Sequence, residues 1–255
     1  MPVLETRALG IRFGGHVAVD AVSCTFEAGT LTAIVGPNGA GKTTYFNLIS
    51  GQLSPTTGSV LLDGHLLDGL GPSERAHRGI GRAFQLTQLF PSLSVREHVR
   101  LALQALQPGA HRHGLNAWRI WSDHHDLIAR AEALLKTLAM GAQSALLASQ
   151  LSHGDQRKLE VALLMALDPR VYMFDEPTAG MSHDEAPVIL SLIRTLKARR
   201  DRVILLVEHK MDVVRELADR IVVLHNGALV ADGSPQEVME SAVVREAYLG
   251  VRVQP

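Results

Sequence analysis

The stretch GPNGAGKTT, Gly36 to Thr44, decides how the rest of this chain is read. It follows a short apolar run, TAIV (32–35), and leads into TTYFNLIS (43–50), which has helical character and stops at Gly51, where a helix C-terminal glycine belongs. Residues 36–43 match G-x-x-x-x-G-K-[ST] in the required setting, a strand before and a helix after. Glycines let backbone N–H groups turn inward around phosphate oxygens, and the positive end of the following helix adds to the attraction. Lys42 is placed to reach the β- and γ-phosphates of a nucleoside triphosphate, and Thr43 to ligate Mg²⁺.

Outward from this loop, residues 4–35 read as strands: VAVDAVSCTFEAG alternates apolar and polar before the TAIV run. PTTG and DG mark turns around a strand, SVLLDG, and PSERAHRG reads as a short helix capped by Ser73. From 86 to 150 the pattern becomes helical. Ser94 and Glu97 have capping-box spacing, and DLIARAEALLKTLAM has helical periodicity. Between them PGAHRHGLNAWRIWSDHH is polar and irregular. Its histidines have no cysteine or acidic partner at ligand spacing, so a polar loop is expected there rather than a metal site. Trp118 and Trp121, three apart on a possible helix face, fit either packing within this segment or contact with a partner. Beyond 150, helices and strands alternate: GDQRKLEVALLMAL, VYMFDEP, EAPVILSLIRTL, VILLVEH, MDVVRELAD, RIVVLHNG. That rhythm is an α/β domain with a mainly parallel sheet. SPQEVMES repeats the capping box with Ser234 and Glu237.

Composition narrows the function classes. The 255 residues carry a net charge of −1, which argues against bulk nucleic-acid binding. The single cysteine, Cys24, excludes an internal disulfide and reads as a small core residue. The start lacks a signal-peptide pattern, and the longest apolar runs, VILLV (203–207) and ALLMAL (162–167), are far short of a membrane span. A soluble, cytoplasmic chain is expected.

Several residues carry candidate chemistry. VYMFDEP (171–177) is a buried strand ending in two carboxylates: Asp175 is placed to hold Mg²⁺ and Glu176 to polarise an attacking water as general base. Gln85, after GIGRAF, would present an amide to the metal or water, and His209, ending VILLVEH, would hydrogen-bond a γ-phosphate. Each gains weight from ending a strand, where sheets of this type place their ligands. Phe13 fits two readings, a ring stacked on a base or a half-buried strand aromatic. LSHGDQ (151–156) opens a helix, so Ser152 and Gly154 fit an anion site or a plain serine cap.

Taken in order, the loop at 36–43, Gln85, LSHGDQ, VYMFDEP and His209 resemble the ATP-binding subunit of ABC transporters, over essentially the whole chain. The resemblance implies an ATPase core at 1–85 and 151–255, with an N-terminal antiparallel β subdomain, and a helical subdomain at 86–150 that docks a permease. It implies ATP and Mg²⁺ as cofactors. Phe13, Val19, Gly36, Pro37, Asn38, Gly39, Ala40, Gly41, Lys42, Thr43 and Thr44 would bind ATP; Thr43, Gln85 and Asp175 would hold Mg²⁺; Glu176, His209, Gln85 and Lys42 would be catalytic. In that family two ATPases pair head to tail, so Ser152, His153, Gly154 and Asp155 would close over the partner's ATP. The implied partners are a second ATPase subunit, transmembrane permease subunits and, indirectly, a solute-binding protein, with no nucleic acid. The implied location is the cytoplasmic face of the inner membrane. IRFGGHVAVD, GIGRAFQLTQLF, LSHGDQRKLEVA, DEPTAGM and REAYLG resemble the ATPases of branched-chain amino acid importers. Urea-type importers and lipopolysaccharide exporters share the FGG start and YLG end. A soluble P-loop phosphotransferase is a different class, which would leave LSHGDQ and His209 without a role.

The chain departs from the family pattern at three positions. His153 replaces the first LSGGQ glycine, Asp155 replaces the glutamine, and Ser182 stands where many members carry an aspartate. A carboxylate near phosphates is unfavourable, so Asp155 is expected to face Arg157 or solvent.

Overall fold

A computed structural model of the chain describes residues 1–83, 89–105, 125–181, 185–241 and 244. It divides into two compact units: Met1–Arg82 with Pro169–Glu176 and Ile193–Pro255, and Ala83–Asp168 with Pro177–Leu192.

In the first unit, β1 (Val3–Phe13) and β2 (His16–Glu27) pair antiparallel from Val3↔Glu27 to Phe13↔His16, turning at Gly14. β3 (Leu31–Val35) is buried throughout, as expected of a strand covered on both faces. It is followed by α1 (Lys42–Ser50), β4 (Thr57–Leu62), β5 (His65–Leu66), α2 (Pro72–His77) and β6 (Ile80–Ala83). One sheet has the order β2-β1-β4-β5, the antiparallel subdomain.

The second sheet needs the later strands. These are β7 (Val171–Asp175), β8 (Val203–Val207), β9 (Arg220–His225) and β10 (Ala228–Gly233). Its order is β10-β9-β3-β8-β7-β6; β3 lies parallel between β9 and β8, and β7 parallel to β8. Hence the loops after β3, β7 and β8 leave the same sheet edge, the carboxyl edge where such sheets bind ligands.

Gly51 ends α1 in the left-handed region at φ 79°, as its position suggested. Arg75, 1% exposed, completes that end: Nη1 donates to the carbonyls of Leu48 (2.7 Å) and Ile49 (2.9 Å), and Nε to Leu70 (3.0 Å). The guanidinium thus supplies donors to the last turn, where Leu48 O also takes the Gly51 N–H at 3.3 Å, and meets the negative end of the helix dipole. Arg75→Met would leave the carbonyls of Ile49 and Leu70 without this donor, and that of Leu48 with only the Gly51 N–H at 3.3 Å. We expect it to lower the unfolding free energy by about 2–4 kcal/mol in urea titration; a loss below about 1 kcal/mol would show that water replaces the guanidinium.

The cap of α2 differs from expectation. Gly71, not Ser73, is the N-cap, and its N–H is taken by Glu74 Oε2 at 2.9 Å. Pro72 suits the first helical position and so moves the boundary back past Ser73.

The second unit contains α3 (Val95–Ala105), α4 (His125–Thr137) and α5 (His153–Leu167), with α3 and α4 packed on one another and on α5. Its buried positions include Val95, Val99, Leu103, Leu127, Ala131, Leu135 and Leu159. The Ser94–Glu97 capping box is present: the Ser94 N–H (2.8 Å) and hydroxyl (2.7 Å) both donate to Glu97, which holds that carboxyl below its ordinary pKa. The division between units falls within α6 (Ala186–Ala198). The first unit ends with α7 (Met211–Leu217) and α8 (Pro235–Glu240), and Ser234 caps α8 as its spacing suggested. Among the described residues no helix is long and apolar enough to cross a membrane. Most of the polar segment at 108–125, with both tryptophans, lies outside the described residues.

Candidate functional site

The loop between β3 and α1 is built from backbone. Gly39 and Gly41 have φ of 80° and 95°, and a Cβ on Gly41 would collide with the Ala18 carbonyl. Two main-chain bonds hold the loop in place. Gly227 N–H, in the β9–β10 turn, donates to Ala40 O (3.1 Å), and Asp20 N–H, in β2, donates to Gly227 O (2.8 Å). Lys42 is 6% exposed and donates to Gly36 O (2.7 Å) and Pro37 O (3.0 Å). Burial pushes its pKa down, against the opposing pull of Glu176 and Asp175.

A cleft of about 380 Å³ lies over this loop, lined by Phe13, His16, Ala18, the run Asn38–Thr44, Glu176 and His209. That volume lies within the range of small-molecule sites, about 300–1,000 Å³. The structure therefore brings most of the expected residues together. Phe13, 50% exposed, stands at the cleft. Val19 does not line it: it is 1% exposed, in the core, and Ala18 takes the cleft position. Gly36 and Pro37 contribute through their carbonyls to Lys42.

The two carboxylates at the end of β7, Asp175 within it and Glu176 just past it, have different surroundings. Asp175 is 2% exposed; its Oδ2 accepts from Arg82 Nη2 at 2.6 Å, and its Oδ1 has no hydrogen-bond partner among the described residues. Burial raises its pKa, opposed first by Arg82. Glu176 has φ 49°, an uncommon conformation for a residue other than glycine and of the kind that collects at functional sites. Its Oε1 lies 2.6 Å from His209 Nε2. An ionised carboxylate only accepts, so Nε2 carries the proton. His209 is positioned in turn by Glu208, whose Oε2 accepts from the N–H groups of His209 (2.9 Å) and Lys210 (3.2 Å).

These groups fit a divalent cation. A buried carboxylate oxygen with no hydrogen-bond partner among the described residues sits at the end of β7, Thr43, which carries a hydroxyl, lines the cleft, and oxygen donors are what Mg²⁺ takes. Gln85 lies outside the described residues.

In the second unit, Ser152 caps α5: its Oγ accepts from Asp155 N–H (3.1 Å) and donates to Asp155 Oδ2 (3.0 Å). Asp155 pairs with Lys158 (2.9 Å) and not with Arg157, which bonds Glu160 (2.9 Å). Residues three apart share a helix face and residues two apart do not. His153 is exposed, its ring beside Gly180, and the Glu185 carboxylate occupies the space a Cβ on Gly154 would need. Ser182 lies outside the described residues.

Arg82, His16 and Glu208 were missed in the sequence. Arg82 left a signal, an arginine inside an otherwise apolar strand; the other two left none.

Comparison with known proteins identifies the family. Residues 19–179 match the family described as ABC transporter, and residues 228–253 match one described as branched-chain amino acid ATP-binding cassette transporter. The chain is 36% identical over 250 residues to the high-affinity branched-chain amino acid transport ATP-binding protein LivG of Salmonella typhimurium, covering 98% of each chain. It is 35% identical over 260 residues to BraF, the protein of the same description in Pseudomonas aeruginosa, again covering 98% of each. A crystal structure of a nucleotide-free ATP-binding cassette from an ABC transporter superposes with a TM-score of 0.82 at 29% identity, over 98% of this chain and 100% of that one. By fold and sequence, the chain belongs to the ABC transporter family.

Proposed function

We propose that this chain hydrolyses Mg-ATP as the energy-coupling subunit of a branched-chain amino acid importer. The observation that carries the chemistry is the single cleft joining the phosphate loop, Lys42 and the Glu176–His209 pair. Lys42 and the loop N–H groups bind the phosphates; Thr43 and Asp175, with Gln85, would hold Mg²⁺, which would supply positive charge against that developing on the phosphates. Glu176 accepts a proton from the attacking water, and His209 holds that carboxylate in place through its 2.6 Å bond. Phe13 lies where a base can stack. The amino-acid assignment is supported by the LivG and BraF matches and by the match of residues 228–253.

Two chains pair so that Ser152, His153 and Gly154 of one meet the nucleotide of the other. The ATPases work with transmembrane permease subunits at the cytoplasmic face of the inner membrane, and with a solute-binding protein indirectly. The test is the solution mass of the Glu176→Gln protein by light scattering. A monomer that becomes a dimer only when ATP is added is expected, and Ser152→Arg in the same background should remain monomeric while still binding ATP. A dimer unaffected by Ser152→Arg would reduce this serine to a helix cap. A Glu176→Gln protein that stays monomeric at saturating ATP would overturn pairing of identical chains.

A further inference from the structure

Arg82 is the basic side chain of β6, only 6% exposed, and its guanidinium is held on several sides. Nη1 reaches Asn47 Oδ1 (2.6 Å), Ser50 Oγ (3.1 Å) and Gln52 Oε1 (3.1 Å), at the end of α1 and just past it. Its central carbon lies 5.5 Å from the centroid of the Phe46 ring, a further contact on α1. Nη2 donates to Asp175 Oδ2 at 2.6 Å.

Arginine and carboxylate commonly pair through two parallel bonds, which would use both oxygens. This pair does not: Asp175 Oδ1 and Arg82 Nε are both buried without a hydrogen-bond partner among the described residues. With Nη1 committed to acceptors around α1, the guanidinium is not free to swing round and take the second oxygen. A buried carboxylate oxygen left open is costly unless something else occupies it. The helix that anchors Arg82 is also the helix whose first turn carries Thr43.

We propose that Arg82 is a positioning residue for the divalent cation: it engages one oxygen of Asp175, leaves the other as the coordinating atom, and ties that carboxylate to the helix bearing Thr43. This rests on the reading of Asp175 as a metal-holding group. It assigns to Arg82 a share in metal affinity, without direct contact to metal or nucleotide.

The test compares binding of the non-hydrolysable β,γ-imido analogue of ATP in EDTA and in excess Mg²⁺, by calorimetry. The proteins are wild type, Arg82→Gln, Arg82→Lys and Asp175→Asn. In wild type Mg²⁺ should tighten binding, and Asp175→Asn should lose that gain. Arg82→Gln should bind about as well as wild type in EDTA, within roughly twofold, while its Mg²⁺ gain falls by about tenfold or more, the usual effect of losing a partner of a metal ligand. Arg82→Lys should recover part of the gain, since one ammonium keeps the charge but cannot span both Asp175 and α1. If Arg82→Gln does not fold, Arg82→Lys decides, with an Mg²⁺ gain expected below that of wild type. A full or larger Mg²⁺ gain in the folded variants would overturn the proposal and leave Arg82 a packing residue. No Mg²⁺ gain in wild type would instead overturn the role of Asp175, and this proposal with it.

Discussion

Glu176→Gln is expected to retain ATP and to lose its hydrolysis by a factor on the order of 10²–10⁴, the usual contribution of a general base. The substitution is nearly isosteric, and an amide oxygen still accepts from His209 Nε2, 2.6 Å away in the wild type. Glu and Gln have the same unbranched stem and so meet the same backbone cost at φ 49°, and the exchange leaves that term unchanged. What disappears is the ability to take a proton. Phosphate release in a single turnover, read beside equilibrium ATP binding, separates the two effects. Binding retained with hydrolysis near wild type would move the base elsewhere, and His209 would be the first residue to examine.

Lys42→Ala should weaken ATP binding by about 10²-fold and remove turnover from the measurable range. Hydrogen bonds to charged groups contribute about 1.5–3 kcal/mol each, and every 1.4 kcal/mol is about tenfold in affinity. Lys42 is desolvated and held at the loop by the carbonyls of Gly36 and Pro37, so little ordering remains to be done when phosphates arrive. Titration with a fluorescent ATP analogue checks this. Affinity within threefold of wild type would remove Lys42 from phosphate recognition.

What could be seen in the sequence was local. The phosphate loop, the capping boxes at Ser94 and Ser234 and the helix-ending Gly51 are set by neighbours within a few positions, and each is present in the structure. The parallel sheet was legible because strands covered on both faces read as continuous apolar runs, as in VYMF and VILLV. What escaped depends on distant or orientational facts. Arg82 meets Asp175 across 93 positions, and Arg75 meets Leu48 across 27. Ala18, not Val19, lines the cleft because both are buried in succession, which breaks the alternation of β2. Asp155 turned to Lys158 because helix geometry outranks nearness in sequence.

The main-chain bonds that join Ala40 to Gly227 and Gly227 to Asp20 have a consequence for what the cleft accepts. β2, paired with the end of β1 that carries Phe13, and the loop that grips phosphate cannot slide past one another without breaking them. The cleft behaves as a caliper locked at one opening. Substitutions at Phe13 or His16 change what the jaw touches, but the gap is written in backbone. Nucleotides should therefore be sorted more strictly by the length of their phosphate chain than by the identity of their base.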